Sequence, residues 1–192
     1  MIDERDTLCY SCHDRIQLVV PSSLQITSTK QIRVFAVSLY QDPLKRLVLA
    51  KSYGHLISSV YLARLMWEMT PLASIDIDYI VPIPLHWRRY AQRGYNQSTE
   101  MAKELSRLSG KPVLEALSRV RHTQFQYLMS QEGRAINLKD AFELVQDLPD
   151  VRGKRLLIVD DVLTSGSTVR AAARQLYQLN PAELILTVAC RK

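Results

Sequence analysis

The sequence predicts an α/β protein built on an open, twisted, mostly parallel sheet flanked by helices. Residues 155–159 (RLLIV) form a short apolar run rich in Leu and Ile, as expected of a parallel strand buried on both faces. The run ends in Asp160 and Asp161, crosses a small hydroxyl-rich turn from Thr164 to Thr168 and enters a helical pattern at once. Strand-like runs at residues 31–37, 75–85 and 183–189, separated by helical stretches, supply the neighbours that such a strand needs.

From the N-terminus, Cys9 and Cys12 form a CxxC with His13 beside it. Pro21, Ser22 and Ser23 break the chain, and QIRVFAV (31–37) alternates well enough to be a strand. Asp42 is placed to cap a helix with Pro43 in its first position, Leu44, Leu47 and Val48 on one side, and Gly54 as the stop. Residues 55–69 carry Leu56, Val60, Ala63 and Trp67 at helical spacing, most simply as core. IDIDYIVPIPL (75–85) begins as an alternating strand, but Pro82 and Pro84 lack ladder donors, so it runs at an edge or leaves the sheet there.

A helix is expected over about 97–109, stopped by Gly110, followed by a possible strand within 112–120 and another at 142–145. Residues 121–137 are polar, irregular and long, the kind of loop that more often carries function than decoration. The helix after the acidic turn places Val169, Ala172, Ala173, Leu176 and Leu179 on one face, with Asn180-Pro181 as its stop. The final strand is expected over 183–189, with Cys190 at its end.

The order strand, acidic pair, turn, helix has a chemical meaning. In open α/β sheets ligands bind beyond the carboxyl ends of the strands, and a helix start offers free N–H groups and a partial positive charge. Gly166 permits a positive φ and close approach to a phosphate, while Thr164, Ser165, Ser167 and Thr168 can each donate a hydroxyl hydrogen bond. Two carboxylates beside that cradle would repel a bare phosphate unless they face sugar hydroxyls or a metal. A phosphorylated sugar therefore suits the pattern better. The turn is not a P-loop, since no GK[ST] follows the glycine, and it is not GxGxxG. A simple Ser/Thr helix cap would not require adjacent aspartates and five small residues in a row.

The chain of 192 residues is long enough for one main domain and a small appendage. A net charge of +6 favours a polyanionic partner. The acidic start MIDERDTLC shows no secretory leader, and no run approaches the roughly 20 apolar residues of a membrane span, so a cytoplasmic location is expected. Three cysteines without a leader argue against a disulfide framework. Cys9 and Cys12 are half of a four-ligand Zn²⁺ site; His55 or a second protomer would have to complete it, or the pair belongs to a degenerate or truncated zinc ribbon.

Arg88, Arg89 and Arg93, within HWRRYAQRGYNQS (86–98), make a second anion site plausible beside the reading of a solvated basic loop. With Arg121 they interleave with Trp87, Tyr90, Tyr95, Phe125 and Tyr127, and basic grooves with stacking rings hold single-stranded DNA.

IVDDVLTSGST resembles the signature of type I phosphoribosyltransferases. YQDPLKRLVLAK (from Tyr40), IVPIPLHWRRYAQRGYNQS (from Ile80), SRVRHTQFQ (from Ser118) and GRAINLKDAF (from Gly133) occur with it in an order and at spacings similar to those of the ComF/GntX (ComFC) family. The resemblance covers about residues 38–192 and implies a phosphoribosyltransferase-like domain there, preceded over residues 1–37 by a degenerate zinc-ribbon or hood segment. Family members usually carry several CxxC pairs in that segment; this chain keeps one.

The resemblance further implies a phosphoribosyl pyrophosphate (PRPP) site used with Mg²⁺. Asp160 and Asp161 would orient the ribose as the catalytic candidates, and Thr164, Ser165, Gly166, Ser167 and Thr168 would hold its 5′-phosphate. Arg88, Arg89, Arg93 and Arg121 would face pyrophosphate or a DNA backbone. The expected role is in natural transformation, handling incoming single-stranded DNA in the cytoplasm, with other competence proteins as possible partners. The alternative is a catalytically active PRPP-dependent transferase acting on an unidentified nitrogen acceptor.

Overall fold

The protein is described from a computed structural model over residues 8–50, 56–85, 94–119 and 141–192. Seven strands are described: β1 (Ser22–Gln25), β2 (Gln31–Leu39), β3 (Tyr79–Pro82), β4 (Leu117–Arg119), β5 (Phe142–Leu144), β6 (Arg155–Leu163) and β7 (Glu183–Arg191). Five make one sheet in the order β1-β2-β7-β6-β3. The pairs β2–β7, β7–β6 and β6–β3 are parallel, and β1 joins β2 antiparallel. β4 and β5 form a separate antiparallel pair. The helices are α1 (Tyr10–Asp14), α2 (Leu44–Ala50), α3 (Leu56–Met69), α4 (Gln97–Ser109) and α5 (Ser167–Leu176), with short 3₁₀ turns at Pro71–Ser74 and Tyr177–Leu179.

The strand period of two explains how this sheet separates two cores. Along β6, Leu156 and Ile158 join the cluster that contains Val169, Ala172, Ala173 and Leu176 of α5 and Phe142 of β5. Leu157 and Val159 point the other way, into the cluster with Leu62 and Met66 of α3 and Met101 and Leu105 of α4. β7 and β2 alternate in register with it: Leu184, Leu186, Val34 and Ala36 face α5, whereas Ile185, Ala189, Phe35 and Val37 face α3. All four residues Leu156–Val159 are buried. At about 1.5–3 kcal/mol for each large aliphatic side chain, burial on both faces anchors β6 firmly beside the still more buried β7.

Several expectations shift once the pairing is seen. β6 does not stop at Val159 but continues through the acidic pair to Leu163, because β7 runs alongside and pairs Asp160 with Val188 and Val162 with Cys190. β3 is shorter than the expected 75–85 run, and it lies at the sheet edge, where Pro82 needs no second ladder. Only Leu117–Arg119 of the expected 112–120 strand is in the β4–β5 pair, while Val113 makes a single parallel bridge to Ile80. α2 begins at Leu44, after Pro43, and the Asp42 carboxylate accepts from Arg46 Nε at 3.0 Å. Ser22 and Ser23 do not break the chain but open β1, an antiparallel partner of β2 that its short, polar sequence conceals. Because β2 and β1 belong to the main sheet, that sheet draws on residues on both sides of position 38. Among the described residues no helix is long and apolar enough to cross a membrane.

α4 is held at three points. Asn96 caps its start, accepting from the Ser98 N–H at 3.2 Å, and Gly110 ends it in the left-handed region. In between, Glu104 is buried and accepts from Arg64 Nε of α3 at 2.8 Å and from both Arg107 nitrogens at 2.9 Å. The Arg107 and Arg64 hydrogen bonds and charges hold its carboxyl at about 2, well below its ordinary 4.5. A depressed folded-state value means the contribution is present above pH 4.5 and is lost as pH falls toward 2. Glu104→Gln should therefore lower the unfolding free energy by about 1–2 kcal/mol at pH 7 in urea titrations, and the gap to wild type should narrow below pH 4.5 and close only as pH falls through about 2.

Candidate functional site

Asp160 and Asp161 lie on the last stretch of β6, half-buried, at the carboxyl edge of the parallel sheet. The chain then turns through exposed Thr164 and Ser165 to Gly166, whose φ of 75° is the left-handed conformation that precedes α5. Ser167 and Thr168 are the first residues of α5; the N-cap Gly166 has no side chain to offer, and Ser165 Oγ accepts from the Ser167 N–H at 3.4 Å. The next N–H groups of the first turn remain as an anion-binding end, with the Ser167 N–H shared with Ser165. Ser165 and Ser167 hydroxyls contact each other at 2.8 Å, so both lie on the same side of Gly166. The structure brings all seven of these expected residues into one strand-turn-helix unit.

The acid is aimed by a relay from the edge strand. Asn96 Nδ2 donates to the Ile83 carbonyl just beyond β3 at 3.1 Å, and the same side chain fixes Ser98 through its cap bond. Ser98 Oγ then donates to Asp160 Oδ1 at 3.1 Å, and the Asp161 N–H donates to that same oxygen at 2.9 Å. Asn96 and Ser98 were visible in the sequence only as part of the RGYNQS block; the helix-start geometry of Asn-Gln-Ser was the signal for them.

A second brace holds the turn from the other side. Arg170 Nη1 donates to the Ser165 carbonyl at 2.6 Å and Nε donates to the Gln25 carbonyl at 2.8 Å, tying the turn to β1. Leu24 of β1 packs over Gly166 so closely that a Cβ there would sit 2.9 Å from Leu24 Cδ1. Neither Arg170 nor Leu24 carries a sequence signal, since the contact depends on β1 being in the sheet.

Few of the other expected residues are among those described. Arg88, Arg89, Arg93 and Arg121 lie outside the described residues, as do Trp87, Tyr90, Phe125 and Tyr127. Tyr95 lines a cleft of about 550 Å³ between α4, the end of β3 and β4. Cys9 precedes α1 and is exposed, and its thiol is shifted below its ordinary value by hydrogen bonds from the Cys12 backbone and side chain. Among the described residues no group of three or more His, Cys, Asp or Glu gathers as a metal site. The two thiols alone do not meet the four-ligand demand of structural zinc. The paired carboxylates suit a hard cation such as Mg²⁺ that takes most of its remaining oxygens from a bound phosphate ligand.

Residues 80–192 match the phosphoribosyl transferase domain family, a span that includes the edge strand, Ser98, the acidic pair and the turn. The chain belongs to that family. Within it the relatives are of the ComF kind. DNA utilization protein YhgH of Escherichia coli K12 is 43% identical over 115 residues, 59% of this chain and 49% of that protein. YhgH of Salmonella typhimurium is 36% identical over 166 residues, 83% of this chain and 72% of that protein. Competence protein F of Haemophilus influenzae is 38% identical over 106 residues, 55% and 46% respectively. The matches span about half the length of the E. coli and H. influenzae relatives.

The turn geometry sets a stability test. Gly166→Ala should cost about 1–3 kcal/mol in urea unfolding, combining a positive φ with the Leu24 collision. Adding Leu24→Ala should make the pair less destabilising than the two single changes summed, because the collision is then gone.

Proposed function

We propose that the strand-turn-helix unit binds PRPP and that the protein uses this site in competence, handling incoming single-stranded DNA in the cytoplasm. The observation that carries the reading is the Ser98–Asp160 bond, which holds a carboxylate beside the start of α5 instead of letting it swing into solvent. Thr164, Ser165, Ser167, Thr168 and the Gly166 backbone would take the 5′-phosphate. Asp160 and Asp161 would accept from the ribose hydroxyls, which resolves the repulsion between the acids and the phosphate. Mg²⁺ held with PRPP beside Asp160 and Asp161 would supply charge neutralisation for the pyrophosphate. The DNA role is supported by the names of the relatives and by a +6 charge. Arg88, Arg89, Arg93 and Arg121 are proposed as the phosphate-facing cations. Zn²⁺ at Cys9 and Cys12 would need ligands from beyond the described residues.

The family match itself favours a second reading, turnover of PRPP with a nitrogen acceptor. There the chemistry is displacement of pyrophosphate from the ribose C1, and the residues at hand supply position and charge stabilisation, with no covalent nucleophile required. Acceptor-dependent pyrophosphate release separates it from a site that binds PRPP and leaves it intact.

PRPP with Mg²⁺ at a hundredfold excess over its Kd should raise Tm by roughly 5–10 °C, and Asp160→Asn with Asp161→Asn should abolish the shift. An unshifted wild type would refute occupancy. Affinity for a labelled oligo-dT should fall with salt at a logarithmic slope near about −3 if four cations meet phosphates, and Arg93→Ala should reduce that slope by about 0.7.

A further inference from the structure

The phosphoribosyl turn does not use the cleft of about 550 Å³ on the far side of the α4 start. Ser98 faces Asp160, whereas its neighbours Thr99 and Glu100 line the cleft, which none of the residues from Asp160 to Thr168 lines. The volume suits a nucleoside-sized group, within the roughly 300–1,000 Å³ of ligand sites. Pro82, Pro84 and Leu117 give it an apolar floor on which a flat ring can lie, and Tyr95 supplies an aromatic wall. Its polar groups are unequal. Glu100 is already paired with Lys103 at 2.8 Å, but Glu115 is exposed in the cleft with no ion-pair or hydrogen-bond partner among the described residues.

We infer that this cleft receives one base of a bound single strand, and that Glu115 selects a base with two adjacent donors, guanine. The inference rests on the DNA reading above and gives that reading a specific site. The reasoning is one of edge chemistry. A carboxylate has two acceptor oxygens and no donor. Guanine offers N1–H beside its N2 amino group, so it meets both oxygens; thymine offers a single N–H between two carbonyls, which repel the carboxylate. Cytosine and adenine offer one amino group each. The placement also fits a strand. Leu85, Gly94 and Arg119 all line the cleft. Arg119 places a cation at the cleft for a flanking phosphate.

The probe is a fluorescein-labelled dT 12-mer carrying one central dG, compared by anisotropy with the same strand carrying deoxyinosine, which lacks only the N2 amino group, and with all-dT. The dG strand should bind roughly tenfold tighter than the inosine strand, and Glu115→Ala should bring the two together. Because Glu115 is exposed, that variant should keep its fold and its PRPP-dependent Tm shift, which serves as the control. Equal binding of the three strands, with steep salt dependence retained, would overturn the cleft and leave the DNA reading standing. A dG preference that survives Glu115→Ala would overturn the role of that carboxylate. No binding of any strand, with the PRPP shift intact, would overturn both the cleft and the DNA reading.

Discussion

Everything at the carboxyl edge of this sheet depends on β6 being clamped between two parallel neighbours. Leu156 to Val159 are buried toward α5 on one side and toward α3 and α4 on the other, so the strand has no freedom to slip by one residue without exchanging its two faces. That constraint carries forward into the polar residues. With Asp160 opposite Val188 and Val162 opposite Cys190, the acid pair is delivered to the sheet edge at a fixed height, and the chain must turn there to enter α5.

What the clamp delivers, two braces then aim. From the β3 side, Ile83, Asn96 and Ser98 orient Asp160; from the β1 side, Leu24, Gln25 and Arg170 hold the turn around Gly166. A helix start and a carboxylate pair are electrostatically opposed as binding groups for one phosphate. Holding them rigidly apart lets each meet a different portion of the same molecule. The ion pair of Glu104 with Arg64 and Arg107 extends the same logic to α4, since it keeps that helix seated on α3 while the helix start carries Ser98.

Much of this was legible in the sequence, for identifiable reasons. The β6-turn-α5 unit is local: a buried run, a glycine needing positive φ and a 3.6-residue repeat all lie within about 25 residues, and each leaves its own pattern. α4 was equally clear, because Gly110 marks its end, although its Asn96 cap was not read. The hairpin of β1 was not, since Ser22–Gln25 is short and mostly polar and its place is set by β2, itself placed by β7. The extension of β6 past Val159 was hidden for a similar reason: aspartates are poor strand formers, and only pairing with a neighbour 28 residues away in sequence overrides that tendency. Arg170 and Leu24 inherited that invisibility. Residues whose work depends on a non-local partner leave no periodic trace.

The β1–β2 hairpin has a bearing on where this chain can be cut. The family match begins at Ile80, yet β2 lies against β7 on the side away from β6, and β1 supplies both the lid of Leu24 over Gly166 and the carbonyl that anchors Arg170. A fragment trimmed to the matched span would strip one flank of β7 bare, presenting unpaired backbone groups as a template for other chains. It would also leave the loop at the helix start with one guanidinium contact gone and its roof removed. The smallest autonomous unit here is therefore larger than the recurring motif, and the N-terminal ribbon of chain is masonry for the pocket rather than an ornament upon it.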